Sequence, residues 1–502
     1  MRQIKISSMN FNYLKPLLLI LLILGGCAKV SDKDLAQLSS PIPLEHSTEE
    51  ALAREFFEQG GWPTERWWEM FEDPQLNEII ELALRESPTL NRALAKVTEL
   101  ESFAKSQAAA FFPLVSLEYL EQWNYFSKNG FNRSFFPLSP GSRPVPSSDN
   151  QIDLTLNFSY EIDFFGKIRK LYKAASDRAK AEKAESKQAI LILTTLIAQT
   201  YVELQTKCMQ KEILQDRLEE RDLLFGLAVA RGEFGLDAAT SSLEREQRVY
   251  ETQQSLLQLE KEIALDHHML NALVGVGPDV EIAPKPMRAI FERPFPLPTD
   301  LSIDLLARRP DLTAQIWRVE AAAAEIGVAK AAFYPSVNLL AFGGFESLSF
   351  DKLLSWSSKQ GSLIPAVHLP IFTGGKLKAN LKSRVAAFNE ESYRYNELLL
   401  HAAKEVADQI STLMAAFDLL SCQINTLETA EELLELHFSR YQHGIDNFLT
   451  VLDNEDQVQV QRFQLFALER DYLLAVLKLI KALGGGYRLS PPAIQMQEPI
   501  DE

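Results

Sequence analysis

One phrase is written twice in this chain. Arg231 opens "RGEFGLDAATSSLEREQ", and 209 positions later Arg440 opens "RYQHGIDNFLTVLDNED". Each runs from an arginine to Gly-hydrophobe-Asp and on into an amphipathic stretch with acidic residues. A long tract without glycine or proline, Lys167 to Phe225, lies before the first phrase, and another, Lys376 to His443, runs into the second. Both tracts are rich in Ala, Leu, Glu, Lys and Gln, which favour helix. At 1.5 Å per residue they predict helices of roughly 90 and 100 Å. Gly235 and Gly444 then turn the chain, since glycine accepts the positive φ that ends a helix. The stretches after the turns predict shorter helices running back.

The repetition extends beyond the turns. Pro310 answers Pro88 and Pro335 answers Pro113, each 222 residues later. "FTGGKLK" answers "DFFGKIR", and "KALGG" answers "NALVG", so that Gly484 matches Gly275. The offset falls to 209 because the first strand loop is 13 residues longer. A self-similarity of this kind predicts an internal duplication. One half spans 61–275, with helices 167–231 and 236–274. A Pro-rich extended linker covers 276–300. The other half spans 301–486, with helices 376–443 and 445–483, followed by a tail, 487–502. Ahead of the first half, 27–60 reads as an irregular polar segment. Pro74 and Pro88 sit where first-turn prolines sit in further helices.

Between the helices the hydrophobic period changes from helical to two. In 151–162, Ile152, Leu154, Leu156, Phe158, Tyr160 and Ile162 fall on one face, and Asp153, Thr155, Asn157, Ser159 and Glu161 on the other. That alternation predicts a strand with one apolar and one polar face. A less regular strand is predicted over 114–124, and a second pair over 336–345 and 362–371. Four strands cannot close a membrane barrel, for which about eight is the minimum. Open strand edges cannot face lipid. In a membrane this chain must therefore oligomerise; the alternative is a soluble sheet with one buried face. The long helices, with runs such as "AEKAESKQ" and "LQDRLEERD", are too charged to cross a bilayer. They are expected side by side in water, as in coiled coils.

The N-terminus reads as a leader, 1–26. Arg2, Lys5 and Lys15 form a basic region and Leu17 to Leu24 an apolar run too short to span a membrane. Leu24-Gly25-Gly26-Cys27 resembles a bacterial lipobox, which predicts lipidation at Cys27 and a mature chain beginning there. The acidic neighbours that would oppose outer-membrane sorting are missing after Cys27. The net charge of −17 argues against a nucleic-acid partner. The other cysteines, Cys208 and Cys422, sit in helical patterns and read as small buried hydrophobes.

No enzyme chemistry is legible. Gly374-Gly375-Lys376 lacks the rest of a phosphate loop, the Gly484–Gly486 triplet closes a helix, and His267-His268 has no metalloprotease spacing. Neither a cofactor nor a metal is expected.

Several stretches together resemble the TolC-like outer-membrane efflux channels, in their lipoprotein branch. They are "WWEMFEDPQLNEIIELAL", "YEIDFFGKIR", "LLARRPDLTAQIWRVEAAAAEIGVAKAAFYPSVNL", "LPIFTGGKLKANL", "RYQHGIDNFLTVLDNEDQ" and "LIKALGGGY". They follow the family's order from about 60 to 488. The resemblance implies an α+β membrane protein, a homotrimer whose four strands per protomer close a 12-stranded barrel. A periplasmic coiled-coil barrel of helices continues it, lipid-anchored in the outer membrane. It also implies a periplasmic adaptor and an inner-membrane pump, of RND or ABC type, as partners. The function expected is passive export of small molecules such as drugs. Type I protein secretion and a structural scaffold across the envelope are the alternatives.

The resemblance further implies that the helix tips meet the adaptor. These are Arg231, Gly232, Phe234, Gly235 and Leu236 in the first half, and Arg440, Tyr441, His443, Gly444 and Ile445 in the second. Turn formation alone accounts for the glycines but not for arginine at the same place twice. Ahead of the second tip, Glu431 and Glu435 fit an acidic ring at a periplasmic gate, and Leu434 and Phe438 an apolar constriction. An acidic residue usual in the family near Phe438 is missing here, against an aspartate-type ring. The bland reading of this acidic run is a solvated helix face.

Overall fold

In the computed structural model, the described residues are 30–31, 34–40, 42, 44–54, 57–127, 148–236, 238–280, 295–298 and 308–488. The leader and Cys27 lie outside them, as do most of the first strand loop, of the linker and of the C-terminal tail.

The chain begins with α1 (Glu45–Leu52) and β1 (Phe57–Gln59), then α2 (Pro74–Glu86), α3 (Pro88–Ala108), β2 (Leu114–Tyr125) and β3 (Ser148–Ile162). The long helix α4 (Lys167–Glu233) and the returning α5 (Ala239–Val274) follow. After β4 (Phe295–Leu297) come α6 (Pro310–Ala331), β5 (Ser336–Ser347), β6 (Lys359–His368), α7 (Lys376–Gln442) and α8 (Phe448–Ala482). Helices α4 and α7 have 67 residues each. The order helix, two strands, long helix, shorter helix occurs twice.

Several expected boundaries are corrected. The 27–60 segment is not irregular throughout, because it contains α1 and β1. The linker contains β4, which pairs in parallel with β1, Phe57 opposite Phe295. The fourth strand lies three residues earlier than 362–371, because His368 pairs with Ser336, the first residue of β5. Pro335, just before it, has no N–H to extend the ladder. The returning helices start at Ala239 and Phe448, not at 236 and 445, because Leu236 and Ile445 still close the preceding turns.

Two compact units are present, one of residues 1–37, 99–179 and 318–392, the other of residues 38–98, 180–317 and 393–502. The first holds a four-stranded antiparallel sheet in the order β2-β3-β5-β6. Its register puts Val115, Phe158, Ala341 and Leu363 side by side on the apolar face. On the polar face, Asn157 donates to Glu118 (3.1 Å) and Gln360 to Asp153 (3.1 Å). Among the described residues, the edges β2 and β6 have no further strand partner. Leu156 is 52% exposed, but Ile152, on the same face, is fully buried, so the apolar face is not open along its whole length.

The second unit is helical. Its core joins Trp67, Leu76 and Ile80 to Ile197, Tyr201 and Leu204 of α4, Leu270 of α5, Val406 and Ile410 of α7, and Val476 and Ile480 of α8. Asp73 caps α2, accepting from the N–H groups of Gln75 (2.8 Å) and Leu76 (3.1 Å). Its other oxygen accepts the buried Tyr201 hydroxyl at 3.1 Å, tying the cap to α4. One window of α4 is apolar enough to cross a membrane, contrary to the expectation from its charged runs, but two-thirds of that window is buried inside the chain. It serves as a core helix. Cys208 is half-buried, and Cys422 is exposed rather than buried, because it lies on a solvent-facing part of α7 among the described residues.

Candidate functional site

The two tips are built alike. In the first, the Leu236 N–H donates to the Arg231 carbonyl (2.9 Å) and the Gly235 N–H to the Gly232 carbonyl (3.0 Å). In the second, Ile445 donates to Arg440 and Gly444 to Tyr441, both at 2.9 Å. This pair of bonds is a Schellman closure, which needs a left-handed residue at its corner. Gly235 and Gly444 supply it, each with φ +71°. A Cβ at either glycine would meet nothing within 4 Å, so the demand for glycine is conformational rather than steric.

Around the corners the side chains point outward. Phe234 is 80% exposed, and Leu236, Tyr441, His443 and Ile445 are exposed too. Arg440 is not a spare donor. Its Nε and Nη2 bond the two Asp446 oxygens at 2.8 and 3.0 Å, and His437 Nδ1 lies 2.8 Å from the same carboxylate. The Arg440 and then the His437 hydrogen bonds hold the Asp446 carboxyl down at about 2. Asn447 caps α8 through the Thr450 N–H at 2.9 Å. The first tip has the same spacing from Arg231 to Asp237, but Asp237 lies outside the described residues.

The gate candidates on α7 fall three or four residues apart, on one helix face. Glu431 accepts from Arg462 of α8 at 2.7 Å, which ties it into its own hairpin. Leu434 is half-buried, while Glu435 and Phe438 are exposed.

A second set of charges, overlooked in the sequence, crosses between the hairpins. Asp456 of α8 accepts from Arg217 Nε (2.9 Å) and Arg221 Nη2 (3.1 Å) of α4. Arg221 also donates to Thr252 Oγ1 of α5 at 2.7 Å, so one guanidinium joins three helices. Arg245 of α5 bonds Asp453 of α8 at 3.2 Å. Burial works to raise the Asp456 carboxyl, but the two arginine hydrogen bonds outweigh it and lower the group. Beside this network Glu220 meets Glu455. Glu220 Oε2 is buried without a hydrogen-bond partner among the described residues, and a like charge beside it disfavours ionisation. Burial first, then the charge of Glu455, pushes Glu220 up to about 7. Asp453, Glu455 and Asp456 stand in the repeated phrase itself, but sequence spacing gives no sign of partners more than 200 residues away.

Among the described residues, no group of three or more His, Cys, Asp or Glu side chains is arranged to hold a metal. What the described residues present is a pair of hairpin tips closed in the same way and a set of charge contacts between helices.

Comparison with known proteins bears on such an arrangement. The family described as outer membrane efflux protein matches residues 79–276 and 301–485. Multidrug resistance outer membrane protein MdtP of Shigella flexneri is 29% identical over 478 residues, covering 93% of this chain and 95% of the relative. Toluene efflux pump outer membrane protein TtgF of Pseudomonas putida is 28% identical, covering 84% and 85%. The crystal structure of the outer membrane protein VceC from Vibrio cholerae superposes with a TM-score of 0.74 at 33% identity, covering 85% of this chain and all of that one. The Campylobacter jejuni CmeC outer membrane channel has the same fold, with a TM-score of 0.80 at 20% identity and coverage of 90% and 95%.

Proposed function

The chain belongs to the outer membrane efflux protein family, and we propose that it is the outer-membrane duct of a tripartite export system for drugs and other toxic small molecules. The observation that carries this reading is the pair of matching tips, each closed by a glycine at the end of a 67-residue helix. The duct needs no chemistry of its own; the pump supplies the energy. Relatives named for multidrug resistance and toluene efflux support small organic cargo over secreted protein.

Three copies complete the duct. The open edges β2 and β6 pair between protomers, closing twelve strands into a barrel and leaving no edge in lipid. The two halves derive from a duplication, so a trimer presents six similar turns. Phe234, Leu236, Tyr441 and Ile445 offer apolar contacts to the hairpins of a periplasmic adaptor, which links the duct to an inner-membrane pump. Glu431, Leu434, Glu435 and Phe438 line the periplasmic gate. Cys27 carries the lipid anchor.

The test is export in cells. Deleting the gene should raise accumulation of a fluorescent efflux dye and sensitise cells to toluene, and a plasmid copy should restore both. Unchanged accumulation in the deletion strain overturns the assignment. A purified mass of one chain in detergent overturns the trimer while leaving the family untouched.

A further inference from the structure

The loop between β5 and β6, residues 348–358, lies at the end of the sheet opposite the ends of α6 and α7. It is held by its own hydrogen bonds. Ser347 Oγ donates to the Ser349 carbonyl and Ser358 Oγ to the Lys352 carbonyl, both at 2.8 Å, while the Ser355 N–H donates to the Lys352 carbonyl at 3.0 Å. Serine hydroxyls and backbone groups are thus engaged in shaping the loop, while large apolar side chains face outward. Leu348, Phe350, Leu354 and Trp356 are 62–78% exposed; only Leu353 is turned in. Four large apolar side chains in nine residues form a patch that calls for an apolar neighbour.

The strand register says on which side of the sheet that neighbour lies. Lys359 pairs with Phe345, and Phe345 with Leu154, so Lys359 belongs to the apolar face. Its Nζ stands 3.8 Å from the centroid of the Trp356 ring, which brings Trp356 to the rim of that face. Trp123 and Tyr125, exposed at the same end of β2, share the face by parity. The charges of the loop are Asp351 and Lys352, and Lys359 opens the strand that follows it. Glu121, on the apolar face of β2, is already engaged by the Tyr119 hydroxyl (2.9 Å) and the Asn150 amide (2.7 Å). An aromatic ring with a lysine stacked on it, at the rim of an apolar sheet face, suits the boundary between acyl chains and phosphate headgroups.

We propose that this loop is an interfacial anchor that inserts its apolar side chains into the outer leaflet, with Trp356 at headgroup level and Lys359 against a lipid phosphate. The inference rests on the reading of the sheet as membrane-spanning. It adds an attachment on the side of the membrane opposite to the lipid at Cys27.

Spin labels separate the two readings. The full chain, with Cys208→Ser and Cys422→Ser, is labelled at Leu354→Cys or, as a control, Leu156→Cys, and placed in lipid nanodiscs. Accessibility to oxygen is compared with accessibility to a water-soluble nickel chelate. Both sites should favour oxygen several-fold. A label at 156 that favours oxygen beside one at 354 that favours nickel overturns the anchor and leaves the sheet in the membrane. A label at 354 immobilised and shielded from both reagents, through contact with a neighbouring copy or the lumen, overturns it equally. Nickel access at 156 removes the membrane reading of the sheet and the anchor with it.

Discussion

Arg440 and Asp446 form a two-point ion pair across the second helix turn, Nε to Oδ2 at 2.8 Å and Nη2 to Oδ1 at 3.0 Å. The arginine therefore has a local task, which turn glycines alone did not explain. It ties the last turn of α7 to the residue before the cap of α8. In the proposed docking, recognition falls to the exposed apolar side chains and the backbone rather than to this guanidinium.

Asp446→Asn should loosen the tip without disturbing the rest of the chain. Amide hydrogen exchange at 444–450 should speed up several-fold, while exchange in the α8 core around Val476 stays unchanged. The Asp446 carboxyl is depressed, so its contribution is present above the ordinary carboxylate range near 4 and is lost as pH falls towards about 2. In the wild type, tip protection corrected for intrinsic exchange should be flat from pH 8 to 5.

Glu220 predicts the opposite dependence on pH. Its folded value is raised to about 7 by burial and by Glu455. In the window from about 4.5 to 7 the folded chain holds more protons than the unfolded one, so stability falls as pH rises. The stabilisation is complete below the unfolded value and gone above about 7. Glu220 is partly solvated, and screening reduces the effect to roughly 1 kcal/mol. Glu220→Gln should raise the melting temperature at pH 8 and flatten its slope between pH 5 and 8, as read by thermal melts in detergent. An unchanged slope would show that Glu220 holds no extra proton in the folded chain.

These contacts mark what a sequence can and cannot say. The tips were legible because a Schellman corner demands glycine, and Gly235 and Gly444 each precede a hydrophobe and an aspartate. The sheet was legible from alternation at 151–162. The pairing of Phe295–Leu297 with Phe57–Gln59 was not. Three residues carry no period, and nothing local points to a partner so distant in the chain. The meeting of Glu220 and Glu455 was hidden for the same reason. Helical periodicity gives the face of each helix, not which helix it meets. The end of β6 was misread because its apolar residues run on past His368, where β5 has no residue left to pair.

The strand faces predict unequal tolerance to charge. Leu156→Arg should cost roughly 2–4 kcal/mol if Leu156 meets lipid, while Asn157→Arg, on the polar face, should cost little. Urea-driven folding into lipid vesicles measures both. Equal losses at the two positions would show that the sheet does not separate lipid from water in this register.

Cys27→Ala should leave an unlipidated precursor with its leader attached. Mass spectrometry of the wild type should find a diacylglyceryl group at Cys27. A mature wild-type N-terminus at another residue, without lipid, would overturn the anchor.

The docking role of the tips can be separated from their turn geometry at Gly444. A side chain there has open space around it but must adopt φ +71°. Any L residue then carries a left-handed penalty of roughly 1–2 kcal/mol. Gly444→Ala bears that penalty with almost no added bulk, and Gly444→Trp bears a similar one with a large ring projecting from the tip. If the tip serves only to reverse the chain, the two variants should behave alike in trimer abundance and in export. If a partner hairpin seats against the backbone at the corner, Gly444→Ala should retain most export, and Gly444→Trp should abolish it while outer-membrane trimer stays near wild type. Crosslinking to the adaptor should fall in step with export. Full export from Gly444→Trp would show that nothing approaches the corner closely, and the adaptor contact would have to be sought elsewhere on the helices.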